Sequence, residues 1–329
     1  MKLAVLGAGA WGTALAISLS RQHAVNLWTR NPDQSAAIAA SRTNERYLPG
    51  LSLPDAVAVT HHLQEAVVDA DVILLVTSTA GMAPVLAALQ ETNAQLPLLW
   101  ACKGFEVSTG RLPHQIADAL LPADVPRGPL SGPSFAQEVA QGKPAALTLA
   151  STDAGFATRT AAALNSTTLR VYSSTDLIGV ELGGALKNVI AIAAGVSDGL
   201  DLGNNARAAL ITRGLSEISR LGMSLGGRPD TFMGLTGLGD LILTATGDLS
   251  RNRTVGRRLA TGQSLDAILA DLGHVAEGVN SARAALKLAR EQRCDMPITE
   301  AVCGLLFEGL SPRAAVQQLM AREPKSEAS

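Results

Sequence analysis

A glycine-rich turn directly after the first apolar run constrains this chain more than any other feature. The segment Gly7–Gly12 reads G-A-G-A-W-G and follows the apolar run Lys2–Leu6. In this pattern Gly7 permits a tight turn, Gly9 lets the backbone approach a pyrophosphate, and Gly12 lets the next helix pack on the strand. The alternative is a glycine-rich turn in an unrelated α/β protein. The strand–turn–helix context favours a dinucleotide site, with the helix start presenting its N–H groups to the anion.

The residue after the second predicted strand bears on the choice of cofactor. Sites that prefer NAD usually carry Asp or Glu there, about 20 residues after the glycines, to bind the ribose 2′-hydroxyl. This chain has Arg30, whose guanidinium suits a 2′-phosphate and can stack on adenine. We therefore expect NADP(H) to be favoured and NAD(H) to be the alternative. A solvated loop position is the other interpretation of Arg30, and Asp33 would soften the preference.

Length, charge and cysteine content narrow the class of protein. A chain of 329 residues suggests two domains, and 47% apolar residues indicate a globular chain. The net charge of −2 points to no nucleic-acid partner. Three cysteines in a chain of this length are no disulfide framework. No apolar run approaches the roughly 18 residues of a membrane span, and no signal peptide is apparent. We therefore expect a cytoplasmic protein.

The chain changes character near Asp176. Before it, short apolar runs alternate with helical patterns, which predicts a parallel sheet covered by helices. After it the periodicity is helical and small residues are frequent. We therefore predict an α/β fold, with a Rossmann-type, mostly parallel dinucleotide-binding domain over residues 1–176 and an all-helical substrate and catalytic domain over residues 177–329. The predicted strands are Lys2–Leu6, Val25–Thr29, Val57–Thr60, Val72–Val76, Leu98–Trp100, Gly128–Leu130, Ala145–Leu149 and Leu169–Tyr172.

Helix-start chemistry supports the helical second half. The capping residues that we expect there are Ser264, Asn280, Thr299 and Ser311, the last followed by a proline. A helical domain with many small residues could form a homodimer, or it could pack only on its partner domain.

Polar residues follow two of the predicted strands, at the sheet edge where ligands bind in open parallel sheets. Lys103 comes just after Leu98–Trp100, which places an ammonium near the cofactor crevice. Gly132 and Ser134 follow the next strand. Ser134 is expected either to cap a following helix, to bind a ligand, or to do both.

A lysine within an apolar, small-residue helix is the strongest catalytic candidate. Gly184, Lys187 and Asn188 share one helix face, and their small neighbours would leave room for a ligand. A desolvated Lys187 would have a lowered pKa and could act as acid or base. The alternative is a lysine that reaches solvent. Asp240, at the end of Gly237–Leu241, could pair with this lysine or cap a helix.

The run Ser250-Arg251-Asn252 precedes a predicted helix and combines a hydroxyl, a guanidinium, an amide and helix N–H groups. Such a set can hold an anion. Glu277 is a further polar candidate near a turn. The five histidines show no metal-ligand spacing, so we predict no metal site.

Taken together, these segments resemble the bacterial-type NAD(P)-dependent glycerol-3-phosphate dehydrogenase family. The similarity spans nearly the whole chain in family order. The matching segments are GAGAWGTALA at Gly7–Ala16, Cys102–Gly104, SGPSF at Ser131–Phe135, VELGGALKNVIAI at Val180–Ile192, ARAALITR at Ala206–Arg213, GLTGLGD at Gly234–Asp240, Ser250–Arg253 and Glu277-Gly278.

The resemblance implies a role for each matching residue. It implies cofactor contacts from Trp11, Arg30, Lys103, Ala136, Arg251, Val275 and Glu277. It implies substrate contacts from Lys103, Gly132, Ser134, Lys187, Asp240, Ser250, Arg251 and Asn252. The family often has Ser where this chain has Ala10; backbone donors would serve there.

The resemblance also implies a reaction. Hydride passes from the nicotinamide to C2 of dihydroxyacetone phosphate, Lys187 exchanges the proton, Lys103 stabilises negative charge, and Asp240 orients Lys187. The product, sn-glycerol 3-phosphate, would supply the phospholipid backbone. Two rival functions remain at this stage: a β-hydroxyacid dehydrogenase with a carboxylate pocket, and an NADPH-binding regulator without turnover.

Overall fold

The computed structural model describes residues 1–92, 95–272 and 276–323, and within them the fold is a sheet followed by packed helices. The strands are β1 Lys2–Leu6, β2 Ala24–Trp28, β3 Thr43–Asn44, β4 Leu48–Ser52, β5 Val57–Thr60, β6 Val72–Leu75, β7 Leu98–Trp100, β8 Arg127–Ser131, β9 Ala145–Ala150 and β10 Leu169–Ser174.

Helices separate most of the strands and then form the whole second half. They are α1 Ala10–Leu19, α2 Pro32–Ser41, α3 Leu63–Val67, α4 Thr79–Glu91, α5 Pro113–Leu120, α6 Ala136–Ala140, α7 Ala154–Leu164, α8 Leu177–Gly199, α9 Gly203–Ser224, α10 Pro229–Met233, a π-helix Leu235–Gly239, α11 Asp240–Thr246, α12 Arg251–Ala260, α13 Leu265–Leu272, α14 Glu277–Glu291, α15 Pro297–Phe307 and α16 Pro312–Met320.

Eight strands form one sheet in the order β10-β9-β8-β7-β6-β1-β2-β5. Neighbouring strands are parallel except at the β8–β9 pair, which is antiparallel, so the expectation of a mostly parallel sheet is confirmed. The central strand β1 is buried on both faces, because Leu3 and Val5 belong to one apolar cluster and Ala4 and Leu6 to another. This double burial explains why the strands appear in the sequence as continuous apolar runs.

Helix α8 is the centre of the helical half. Its side chains are buried from Gly179 to Ser197, and α9, α11, α12 and α14 pack around it. It is also the one helix of the described residues that has the length and hydropathy of a membrane span, with 89% of the span buried within the protein. A helix surrounded by other helices is apolar on all faces for this reason alone.

Two of the four expected helix caps are confirmed and two are wrong. Ser264 and Ser311 accept backbone N–H bonds at the starts of α13 and α16. Asn280 and Thr299 are not caps, because α14 and α15 begin earlier, at Glu277 and Pro297. The small hairpin β3–β4 was not predicted; its register shift leaves little alternation to detect.

Candidate functional site

A cleft of about 760 Å³ lies between the sheet edge and the helices packed around α8. It runs from the glycine turn after β1, past the ends of β2, β6 and β7, to α8, α11 and α12. Because the carboxyl ends of parallel strands meet at this edge, residues that follow separate strands come together there.

The glycine turn has the geometry that a dinucleotide needs. Gly7 has φ +122°, and a Cβ there would lie 2.5 Å from the carbonyl oxygen of Val76. A Cβ on Gly12 would lie 1.9 Å from the carbonyl oxygen of Gly7, so the helix packs too closely for a side chain. Gly9 precedes α1 as its N-cap, and a Cβ there would meet nothing within 4 Å. The open space and the uncapped helix N-terminus fit a pyrophosphate.

Two amide side chains hold the glycine turn in place. Gln34 Nε2 and Asn44 Nδ2 donate to the carbonyl oxygen of Ala8 at 2.8 and 3.0 Å. Thr29 Oγ1 in turn donates to Gln34 Oε1 at 2.8 Å. These two bonds satisfy the carbonyl oxygen of Ala8 and hold the backbone of the turn in place.

The end of the cleft beside β2 is lined by Arg30, by Gln34 and by Tyr47–Pro49 of the β3–β4 hairpin. The Arg30 side chain is exposed, whereas Asp33 lies in the first turn of α2 and does not line the cleft. The charged side chain at this end is therefore a cation.

At the opposite end, two lysines share one buried carboxylate. Lys103 Nζ lies 2.7 Å from Asp240 Oδ2, and Lys187 Nζ bonds Asp240 Oδ1. Lys103 also donates to the carbonyl oxygen of Gly132 at 3.2 Å, and Lys187 donates to Thr244 Oγ1 at 3.0 Å. Each ammonium has three N–H donors, so one on each remains for a ligand.

The surroundings favour a neutral Lys187 more than water would. Burial lowers its pKa, Asp240 opposes this effect and Lys103 adds to it, and the resulting pKa is about 8. Burial raises the pKa of Glu277, and the positive charge of Arg251 is the strongest effect that opposes this rise. The lowered pKa agrees with the expectation for a desolvated lysine.

An amide chain joins three helices beside the lysines. Asn252 Nδ2 donates to Asn188 Oδ1 at 3.0 Å, and the backbone N–H of Gly278 donates to Asn252 Oδ1 at 2.9 Å. Ser250 caps α12 through the N–H of Arg253, so Arg251 and Asn252 lie in the first helical turn, not before it as expected.

Most of the residues selected from the sequence meet in this one cleft. Gly12 packs beneath the turn, and Gly132 contributes its carbonyl oxygen to Lys103. Ser134 donates to that same carbonyl at 3.0 Å and is not the cap of α6, whose N-cap is Phe135. Val275 lies outside the described residues. The residues selected from the sequence that line the cleft are Gly7, Gly9, Ala10, Trp11, Arg30, Lys103, Ser134, Ala136, Lys187, Asn188, Asp240, Ser250, Arg251, Asn252 and Glu277.

The sequence reasoning missed Thr244, Gln34 and Asn44. Thr244 lies one helical turn after Asp240 on α11, so predicting a helix that begins at Asp240 would have placed the two residues on the same helix face. Gln34 and Asn44 had no local signal, since they act through tertiary contacts. Among the described residues, no three His, Cys, Asp or Glu side chains cluster as a metal site would require.

Comparisons with known proteins agree with this geometry. Residues 2–157 match the family described as NAD-dependent glycerol-3-phosphate dehydrogenase N-terminus, and residues 176–317 match its C-terminus. The chain is 58% identical to glycerol-3-phosphate dehydrogenase [NAD(P)+] of Thiobacillus denitrificans, covering 99% of this chain and 100% of that one. It is 56% identical to the protein of the same name from Nitrosomonas europaea, with 99% of each covered.

Solved structures show the same relationship. The crystal structure of glycerol-3-phosphate dehydrogenase from Coxiella burnetii is 40% identical, with a TM-score of 0.93 over 98% of this chain and 99% of that one. A D-mandelate dehydrogenase solved with NADH has a TM-score of 0.59 at 13% identity, over 94% and 98% of the two chains, which reflects the fold alone.

Proposed function

The chain belongs to the NAD-dependent glycerol-3-phosphate dehydrogenase family, and we propose that it interconverts dihydroxyacetone phosphate and sn-glycerol 3-phosphate with NAD(P)H. The observation that carries this proposal is the pair of lysines on Asp240, at the end of a cleft that begins at the glycine turn. Such an arrangement can hold an oxyanion and exchange a proton beside a nicotinamide cofactor.

The proposed function assigns cofactor binding mainly to the sheet domain, residues 1–176, and the substrate and catalytic groups mainly to the helical domain, residues 177–329. The sheet domain binds the dinucleotide through Gly7, Gly9, Ala10 and Trp11, and Arg30 contacts the 2′-phosphate of NADP(H), the preferred form. Ala136, Arg251, Val275 and Glu277 complete the cofactor site. When bound, the reduced nicotinamide supplies the hydride that adds to C2 of the substrate.

The phosphate of the substrate is held at the start of α12. Ser250, Arg251 and Asn252 supply hydroxyl, guanidinium and amide groups there, and the helix N-terminus adds favourable partial charge. Gly132, Ser134 and Asn188 hold the three-carbon chain. This grip fixes C2 near the lysines, which removes much of the entropic cost of the reaction.

Lys187 donates the proton. As negative charge develops on the C2 oxygen, the free N–H of Lys187 transfers its proton there, and in the reverse direction the neutral amine accepts it. Lys103 stabilises the same oxygen by its charge. The Asp240 carboxylate holds both ammonium groups. Thr244 accepts a hydrogen bond from Lys187 and donates one to the backbone carbonyl oxygen of Asp240 at 2.7 Å, which fixes the direction of the Lys187 side chain.

The assembly and the setting are also proposed. We expect a homodimer, because a helical half rich in small residues can form a subunit interface. Sedimentation as a monomer would overturn it. We expect a cytoplasmic enzyme, since Cys102, Cys294 and Cys303 are all free thiols, as is usual in a reducing compartment. We also expect its product to supply glycerophospholipid synthesis.

The test is oxidation of NADPH by the purified protein, followed by absorbance, with dihydroxyacetone phosphate added last. Turnover that depends on this substrate supports the proposal. A panel of β-keto acids is the matched control, because a β-hydroxyacid dehydrogenase would reduce them instead. NADPH binding without turnover of either class would overturn the proposed enzyme and favour a regulator.

A further inference from the structure

A second buried carboxylate lies outside the cleft. Glu181 is 5% exposed and receives three hydrogen bonds. Trp100 Nε1 donates to its Oε1 at 2.8 Å, and the backbone N–H of His114 donates to the same oxygen at 2.9 Å. The His114 ring bonds Oε2 through Nδ1. A buried carboxylate is costly unless it is paired in this way.

All three donors belong to the sheet half of the chain, whereas Glu181 belongs to α8. Trp100 ends β7, three residues before Lys103, and His114 is the second residue of α5. Glu181 lies six residues before Lys187 on α8, and these two are the charged side chains among the buried residues of that helix. One carboxylate therefore joins the elements that carry the two lysines.

The hydrogen bonds of Glu181 lie close in the chain to both lysines. From Glu181 to Lys187 the α8 backbone rises about 9 Å at 1.5 Å per residue, and from Trp100 to Lys103 the chain is only three residues long. The alignment that brings Lys103 and Lys187 to opposite oxygens of Asp240 depends on how α8 lies against β7. A misplacement of about 1 Å in a catalytic group can cost 100-fold in rate.

We propose that Glu181 is a positioning residue that sets the spacing of Lys103 and Lys187 by fastening α8 to β7 and α5. This inference rests on the proposed function for its kinetic consequences but not for its geometry. Two other ionisable groups interact with this cluster. The charge of Asp118, which pairs with Arg127 at 3.0 Å, raises the pKa of His114, and the charge of Glu181 raises the pKa of the Cys102 thiol.

The test compares two buried carboxylates that differ in location. Glu181→Ala removes both carboxylate oxygens and with them all three hydrogen bonds, and Glu181→Gln keeps an oxygen for Trp100 and the His114 backbone. Glu217→Ala is the matched control, because Glu217 is also buried and accepts three hydrogen bonds, from the backbone N–H groups of Ile298 and Thr299 and from the Thr299 hydroxyl. If Glu181→Ala does not fold, Trp100→Phe serves in its place by removing one donor.

Two readouts separate positioning from general stability. The first is kcat against the dissociation constant for NADPH, at a temperature where every variant is folded. The second is the pH dependence of Lys187 acylation by a small reagent, followed by mass spectrometry on protein without substrate. It reports the environment of Lys187 even if the enzyme does not turn over, so failure of the proposed function is distinguishable from failure of this inference.

For Glu181→Ala we expect kcat to fall about tenfold or more, with NADPH binding within about twofold of wild type. The Lys187 titration should move upward by about half a pH unit or more, since a loosened α8 admits water to a group that burial had depressed. Both readouts for Glu181→Gln should lie between those of wild type and Glu181→Ala. Glu217→Ala should change neither readout. A folded Glu181→Ala with an unchanged Lys187 titration, or an equal shift in Glu217→Ala, would overturn the proposal.

Discussion

Lys187 and Asp240 form an ion pair in which both side chains are nearly removed from solvent, at 8% and 1% exposure. They are 53 residues apart in the chain, and Thr244, one turn after Asp240 on α11, accepts a second hydrogen bond from Lys187. A buried pair of this kind is weak evidence for stability, because desolvation offsets the attraction between the charges. Its position at the end of the cleft gives it a chemical use.

Removing the lysine should remove the chemistry while sparing the cofactor. Lys187→Ala should lower kcat by about 100-fold to 10,000-fold, the range expected for loss of a general acid. NADPH binding, measured by fluorescence titration, should stay near wild type, since the glycine turn is at the other end of the cleft. Retention of full kcat would refute the role of Lys187.

The pKa of Lys187, about 8, sets the pH dependence in both directions. Reduction of dihydroxyacetone phosphate needs the protonated amine, so kcat should fall as the pH rises through about 8. Oxidation of sn-glycerol 3-phosphate needs the neutral amine, so its kcat should rise over the same interval. Profiles measured in both directions at constant ionic strength check this, and parallel profiles would contradict it.

Removing the negative charge of Asp240 should move that profile. Asp240 raises the pKa of Lys187 against the effects of burial and of Lys103. In Asp240→Asn the pKa should therefore fall, and the decline of the reductive kcat should begin below pH 8, at a lower maximum. Thr244→Val is the comparison, because it removes a neutral partner of Lys187 and leaves the charge balance intact. A decline that stays at the wild-type pH would show that Asp240 does not control the lysine.

The exposed guanidinium of Arg30 should decide between the two cofactors. Arg30→Ser should lower kcat/KM for NADPH by about tenfold or more and leave the value for NADH nearly unchanged, because only NADPH carries the 2′-phosphate. Arg313→Ser removes an exposed arginine outside the cleft and serves as the control. A strong preference of the wild-type enzyme for NADH would contradict the assignment.

Close packing of α12 on α8 leaves no room for a methyl group at Gly256. A Cβ there would lie 2.0 Å from the carbonyl oxygen of Ile192. Alanine raises helix propensity by about 1 kcal/mol, but overpacking typically costs about 1–3 kcal/mol. Gly256→Ala should therefore lower the free energy of unfolding, measured by urea titration. Arg257→Ala, exposed on the same helix, should stay near wild type.

The small residues of α8 show where inference from the sequence was incomplete. Gly184, expected to leave room for a ligand, instead leaves room for Ser131 and the Lys103 side chain, since a Cβ there would lie 2.8 Å from the Ser131 hydroxyl. Helix periodicity identifies the residues that share a face but does not say which element covers that face. Only the packed structure distinguishes a ligand from a neighbouring side chain.

By itself the sequence determined the strands of the sheet, the glycine turn and the lysine of the apolar helix. These features are local, because a strand buried on both faces must be apolar and a tight turn that a phosphate approaches closely needs glycine at particular positions. The sequence offered pairing with Lys187 as one of two alternatives for Asp240, and the tertiary structure alone decided that Lys103 shares the same carboxylate and that Glu181 fastens α8 to the sheet. Those contacts join residues 53 to 137 positions apart, and nothing local in the chain encodes which distant charge will meet which.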